Sequence, residues 1–219
     1  MTRETGCRGG QTAIVEAMAP NGDEEICRLA KEWSVDVASE TAGRLGRFCG
    51  ILLEWNKRVN LTGAQSLEVL LAEHLPDSFV AARLIPENAC VVDIGSGGGL
   101  PGIPLAILRP DCRFDLVEPR GRRVAFLNTA CRMCECRNTG VTQARSEELK
   151  SRSYDVAMSR ATFAPEEWLR LGRELVGAHG KVLVLSTSGI ASEAMRLGEN
   201  VSYRVGSGAP RWAGLFGIA

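Results

Sequence analysis

Asp93-Ile94-Gly95-Ser96-Gly97-Gly98-Gly99-Leu100-Pro101-Gly102 follows the β-prone apolar run Ala89-Cys90-Val91-Val92 and precedes a helix-forming stretch at Leu105 to Leu108. A strand that runs into closely spaced glycines and then a helix is a β–α turn suited to a ligand. Glycine adopts positive φ and has no Cβ to hold a ligand away. Pro101 suits the first turn of the helix that follows. A bare tight turn rarely needs four glycines between Ile94 and Leu100, which favours a binding loop. Gly97, Gly99 and Gly102 also fit G-x-G-x-x-G, with Glu118 about 20 residues on, where a dinucleotide fold keeps its ribose carboxylate. Asp93 argues against a dinucleotide. A carboxylate two residues before the first glycine repels a pyrophosphate and suits a ligand with a cationic amino-acid moiety.

Downstream of this loop, Arg113 to Glu118 alternates like a strand and Arg122 to Cys136 reads as a helix. Further strands are expected at Thr139 to Ala144, Tyr154 to Ser159, Lys181 to Leu185 and Val201 to Val205, with a helix over Pro165 to Val176. Strands alternating with helices predict an α/β fold, a doubly wound and mostly parallel sheet of Rossmann-like type. Upstream the chain reads as helices alone. Glu24 to Trp33 is amphipathic. Ser39 or Thr41 is placed to cap a helix carrying Leu45, Phe48, Leu52 and Trp55. Ser66 to Leu71 is a short helix, and Asp77 to Leu84 is another, with Pro76 before it and Pro86 after it. The expected organisation is a disordered leader over residues 1–22, a helical cap over 23–86 and an α/β core over 87–219, forming one compact unit.

Lys plus Arg equals Asp plus Glu at 26 each, so the chain has no net charge to drive non-specific nucleic-acid binding. Any nucleic-acid face must come from clustering. No apolar run approaches the roughly 20 residues that span a bilayer, and the leader lacks a signal-peptide pattern, so a cytoplasmic chain with no membrane partner is expected. Eight cysteines in such a chain read as reduced thiols. Cys131, Cys134 and Cys136 include a C-x-x-C, but no second pair stands at zinc-ligand spacing. Packing on one helix face is the simpler reading, and no metal is expected.

Several further residues accompany the loop: Trp55-Asn56 with Asn60-Leu61-Thr62; His74 with Asp77-Ser78; Ile103-Pro104; Glu118 with Arg122-Arg123-Val124 and Phe126-Leu127; Arg145 with Glu147; and Ser159-Arg160-Ala161. In this combination the chain resembles the bacterial methyltransferases historically called glucose-inhibited division protein B, which modify a guanine of 16S ribosomal RNA at N7. The resemblance spans about Phe48 to Ser186. It implies a class I S-adenosylmethionine-dependent methyltransferase fold with an N-terminal helical extension. It further implies that S-adenosyl-L-methionine is bound by Asp93, Gly95, Gly97, Gly99 and Leu100, with Glu118 on the ribose, Ser146 and Glu147 beside the adenine, and Arg160 lining the site. Three places depart from the family pattern. Glu73 stands where a basic residue is usual, Ser186-Thr187-Ser188 replaces Leu-Lys-Gly, and the Gly-rich tail from Gly206 matches poorly.

The implied reaction needs no general base, because N7 of guanine carries a lone pair and no proton. Alignment of the two reactants supplies most of the rate. The product ring is cationic, so Arg145 and Arg160 are better assigned to phosphate, ribose or the cofactor carboxylate than to the ring. The partner is then the small ribosomal subunit or its 16S RNA, with the target guanine unpaired, and the enzyme is expected to be a monomer. Arg122, Arg123 and Arg145, with Lys57 and Arg58, are the expected RNA contacts. Trp55 is expected in the core and His74 as a structural hydrogen-bonding residue. Two other readings stay open: a small-molecule methyltransferase whose cap closes over its pocket, and a non-catalytic S-adenosylmethionine-binding protein.

Overall fold

The first helix, α1, spans Gly22–Glu32 and buries Ile26 and Ala30. A computed structural model describes residues 22–149 and 154–218, so the leader expected before Gly22 lies outside the described residues. The cap continues with α2 (Ser39–Val59), a short α3 (Leu67–Val69), a π-helical turn (Leu70–His74) and α4 (Leu75–Leu84). Then come β1 (Cys90–Ile94), α5 (Gly102–Leu108), β2 (Arg113–Val117), α6 (Gly121–Met133) and β3 (Thr139–Thr142). A 3-10 turn at Ser146–Glu148 leads towards β4 (Tyr154–Arg160) and α7 (Pro165–Leu175). The chain then forms β5 (Val176–Ser186), β6 (Met195–Arg204) and β7 (Pro210–Ile218).

The seven strands form one sheet in the order β3-β2-β1-β4-β5-β7-β6. The first five are parallel, and β7 runs antiparallel between β5 and β6. The chain moves outward from β1 through β2 to β3, then returns to β4 on the other side of β1. That reversal opens a crevice at the carboxyl ends of β1 and β4, the place where open α/β sheets take their ligands. Alternate residues of one strand point to opposite faces. Val91 packs in the apolar cluster that includes Ile26, Phe48 and Phe79 of the cap, whereas Val92 packs with Trp168, Val182 and Phe216 on the other face. The cap therefore belongs to one face of the sheet and α7 to the other.

Several boundaries differ from the sequence expectation. Neither Ser39 nor Thr41 caps α2; the cap position is Ala38, extended at φ −68° and ψ 153°, with no side-chain bond. The two short helices expected before Pro86 join through the π-helical turn, and Pro76 sits inside the first turn of α4, where its missing N–H costs nothing. Pro101 stands just before α5, not in its first turn. The helix expected to Val176 stops at Leu175, and β5 begins at Val176, ahead of the expected Lys181. The Gly-rich tail contains the nine-residue β7, whose Trp212, Leu215 and Phe216 are buried.

Candidate functional site at the sheet crevice

The loop after β1 curls through three glycines at positive φ: Gly95 at 72°, Gly97 at 52° and Gly99 at 73°. The backbone N–H groups of Gly95 and Ser96 donate to Val117 O at 2.8 and 3.1 Å, binding the loop to the end of β2. A side chain at Gly95 is excluded twice, by its φ and by Thr162, whose Oγ1 lies 2.6 Å from where a Cβ would stand. Thr162 follows β4, so the loops after β1 and β4 touch at the switch point.

Glu118 directly follows β2 and is only 2 % exposed. Its Oε2 accepts Gly97 N–H at 3.0 Å and its Oε1 accepts Arg120 N–H at 3.0 Å. A carboxylate has about four acceptor positions, so two backbone bonds orient it without exhausting it. Glu118 makes no surface pair with Arg122: it is buried, and its arginine neighbour is Arg123, with Nη1 at 4.0 Å.

Asp93 is 1 % exposed. Among the described residues, its Oδ2 is buried without a hydrogen-bond partner. Burial raises its pKa to about 7, against the opposing pull of Ser96 and Arg160, while the nearby Glu118 adds to the rise. An unsatisfied buried carboxylate oxygen is costly in isolation, and a cationic ligand group relieves that cost.

The cap shapes the crevice through Asn56. Its Oδ1 accepts the N–H groups of Leu61 and Thr62 at 2.7 and 2.9 Å, and its Nδ2 donates to Thr62 O at 2.9 Å and Ala64 O at 3.2 Å. These bonds fix the Asn60–Ala64 loop with Leu61 O 2.9 Å from a Cβ position on Gly98. Leu100 is half-buried against the same cluster. Trp55 is half-buried too, edge-on to Phe126 with ring centroids 5.8 Å apart.

The expected RNA residues divide. Arg58, Arg122 and Arg123 converge with Arg120 around a cavity of about 420 Å³ beside the glycine loop. Arg123 Nη2 also donates to Asn60 O at 3.4 Å. Lys57 instead pairs with Glu54 on the exposed face of α2. Arg145 is exposed and precedes the 3-10 turn, its N–H donating to Glu148 at 3.3 Å. Ser146 and Glu147 lie in that turn, half-buried and exposed respectively.

Arg160 ends β4 and is held from the cap. Its Nε meets Asp77 Oδ2 at 2.8 Å, and its Nη2 lies 2.7 Å from His74 Nδ1. Burial lowers the pKa of His74 and the Arg160 charge adds to that. A neutral imidazole with its proton on Nε2 accepts the arginine bond, the structural role expected of it. Tyr203 completes the group, its hydroxyl donating to Asp77 Oδ1 at 2.8 Å. Burial raises the pKa of that phenol, and the Asp77 charge reinforces the shift. Arg160, Asp77 and Tyr203 line a cavity of about 340 Å³ with Phe163 and Ser186. The sequence singled out Asp77 as a helix start and within the resemblance, with no partner assigned, and did not single out Tyr203 or Phe163. The signal for Asp77 was an acid in the first turn of a helix, which usually serves the helix dipole.

Cys131, Cys134 and Cys136 are buried free thiols. Among the described residues, no cluster of three His, Cys, Asp or Glu side chains is arranged to hold a metal. No helix among them is long and apolar enough to cross a membrane.

This sheet order, with its glycine loop and terminal acid at the switch point, is that of the class I S-adenosylmethionine-dependent methyltransferases. A methyltransferase of that dependence from Aquifex aeolicus superposes with a TM-score of 0.53 at 14 % identity, covering 69 % of this chain and 93 % of its own. The M. jannaschii TYW2 in complex with AdoMet superposes at 0.52 and 15 % identity, covering 67 % and 76 %. These likenesses speak for the fold. Residues 42–206 match the family model described as rRNA small subunit methyltransferase G, and the chain belongs to that family. The ribosomal RNA small subunit methyltransferase G of Wolinella succinogenes is 37 % identical over 153 residues, which is 70 % of this chain and 79 % of that protein. The protein of the same name from Xanthomonas oryzae pv. oryzae is 35 % identical over 170 residues, 77 % and 79 % of the two chains.

Proposed function

We propose that this chain transfers a methyl group from S-adenosyl-L-methionine to N7 of a guanine in 16S ribosomal RNA, acting as a cytoplasmic monomer on the small subunit. The observation that carries the reading is the meeting of two features at one sheet edge. Glu118, oriented by Gly97, faces the glycine loop, and the Arg160 cavity opens on the adjoining strand end.

The residues present fit the cofactor. The unpartnered Asp93 Oδ2 suits a positively charged neighbour, and Glu118 retains acceptor positions for a ribose diol. S-adenosylmethionine supplies a methyl group on a sulfonium. Gly95, Gly97, Gly99 and Leu100 shape the loop around it, and the turn at Ser146 and Glu147 borders the adenine end. The cavity at Arg160 receives the guanine, with the Phe163 ring, itself stacked on Trp168 at 5.8 Å, as a stacking surface. Asp77 neutralises Arg160, so that guanidinium does not act on the ring as a bare cation as it becomes positive. N7 has no proton to lose, and the protein's work is to align the base and exclude alternatives. Arg58, Arg122 and Arg123 hold the RNA backbone beside the loop.

The test is transfer of labelled methyl groups to small subunits that lack native methylation, followed by nucleoside analysis. The expected product is 7-methylguanosine at one site. Transfer to free metabolites alone, or cofactor binding with no transfer to subunits or naked RNA, would overturn the reading.

A further inference from the structure

A second cavity, of about 240 Å³, opens beside the one at Arg160. The two share Thr187, Tyr203 and Arg211, so they form one trough. It runs from the carboxyl end of β4 past the end of β5 and onto the β6–β7 hairpin. Strand register builds it. Ser186 of β5 pairs with Trp212 of β7, and Tyr203 and Arg204 of β6 pair with Arg211 and Pro210. Arg204 and Arg211 are thereby brought to the side of Thr187 and Ser188.

The lining is cationic and rich in hydroxyls. Among the described residues, the acid in this lining is Asp77, which belongs to the Arg160 cavity, is buried and is already occupied by Arg160 at 2.8 Å. Arg211 Nε stands 4.0 Å from Asp77, and its Nη1 donates to Pro210 O at 3.1 Å. Arg204 Nη1 donates to Gly208 O at 2.7 Å. Backbone carbonyls thus steer both guanidinium groups without cancelling their charge. A guanidinium has five N–H donors in a planar fork, so each has donors to spare for an anion. Ser188 and Thr187 are exposed and add two hydroxyls.

We propose that this second cavity is a subsite for the nucleotide adjoining the target guanosine. Arg204 and Arg211 take its phosphodiester, and Thr187 and Ser188 bond its sugar and phosphate oxygens. The inference rests on the RNA-methylating reading, and it adds a specific second contact surface on the opposite side of the crevice from Arg58, Arg122 and Arg123. A single strand that places its guanine in the Arg160 cavity must continue along the trough, and the trough offers it phosphate contacts.

The experiment measures equilibrium binding of a fluorescent single-stranded RNA oligonucleotide that carries the target guanosine, so its readout does not depend on turnover. Arg204→Gln and Arg211→Gln are each expected to weaken binding roughly tenfold. Each should reduce the slope of log affinity against log salt, and the double variant should reduce it by about 0.7, the share of one phosphate on a single strand. S-adenosylmethionine affinity should stay at the wild-type value in both, as a check that Arg211→Gln folds. An oligonucleotide with an uncharged methylphosphonate next to the target guanosine should bind the wild type correspondingly less well, with little further loss on the double variant. Unchanged affinity and slope in both variants would overturn the subsite. So would an equal methylphosphonate penalty on wild type and double variant, or no binding by the wild type. Failure of methyl transfer with these binding results intact would instead count against the proposed reaction.

Discussion

Arg160 at the end of β4 and Asp77 in the first turn of α4 form a buried ion pair, Nε to Oδ2 2.8 Å, with side chains 18 % and 3 % exposed. It ties the helical cap to the edge of the sheet where the site lies. Asp77 is also the acceptor for Tyr203 from the β6–β7 hairpin, so one carboxylate joins three parts of the chain. A buried pair of this kind is held less by net Coulomb gain than by the cost of leaving either partner alone.

Asp77→Ala should therefore destabilise the protein by about 3–5 kcal/mol, because it leaves Arg160 without its carboxylate and Tyr203 without an acceptor. Replacing both members of the pair, as in Asp77→Ala with Arg160→Met, should recover more than half of that loss. Urea unfolding of the two single variants and the double variant checks this. A loss under about 1 kcal/mol for Asp77→Ala would show that the pair is no more than a surface contact.

Glu118 divides its two oxygens between Gly97 and Arg120, so its substitutions should act on cofactor binding in graded fashion. Glu118→Gln keeps one carbonyl acceptor and is expected to weaken S-adenosylmethionine binding by about tenfold. Glu118→Ala removes both acceptors and should weaken it by roughly a hundredfold, taking about 1.5–3 kcal/mol per hydrogen bond to a charged group. Calorimetric titration reads both. Equal and small effects would mean that Glu118 only shapes the loop.

Asp93 gives the free protein a pH signature. Its folded pKa, about 7, lies above the value of 3.8 expected when unfolded. The folded state then holds more protons than the unfolded one between those values, so its stabilising contribution is complete below about pH 4 and is lost as pH rises towards 7. Asp93→Asn should flatten that part of the stability profile. A cationic ligand favours the ionised carboxylate, so S-adenosylmethionine binding near pH 6.5 should release a fraction of a proton. Titrations in buffers of different ionisation enthalpy measure it, and Asp93→Asn should abolish the release. Proton uptake in the wild type would contradict the assignment.

The glycine loop, Glu118 and the parallel core were legible because their signals are local: a strand, a loop and a helix contiguous in sequence. Three expected RNA arginines were brought together because α6 starts where β2 ends, beside the end of α2. The β7 strand was not legible. Its glycines suggest a loose tail, yet Gly214 lacks a side chain because the Trp212 ring occupies that space, and the strand exists through pairing with β5 and β6. The helix expected from Asp77 begins at Leu75, because a proline fits inside the first turn of a helix as well as just before it. Asp77 and Tyr203 gain their meaning only from Arg160, a partner remote in sequence.

The cluster of Arg58, Arg122 and Arg123 makes the last prediction quantitative. With Arg120 they surround one cavity, so on the proposed reading their charges would act on the same stretch of RNA backbone. Replacing Arg58, Arg122 and Arg123 with glutamine should reduce the salt slope of RNA binding by about 2, at roughly 0.7 per phosphate contact on a single strand. The variant should lose affinity at low salt far more than at high salt, where the wild type has already lost the advantage of these contacts. Lys57→Gln should do much less, because its ammonium is already paired with Glu54 on the exposed face of α2. Arg145→Gln should also do less, since Arg145 does not line this cavity. Salt titrations of RNA binding for the triple variant and the two single variants distinguish them. A slope unchanged in the triple variant, or lowered equally by Lys57→Gln, would remove this face from the RNA path and leave the trough on the β6–β7 hairpin as the principal contact.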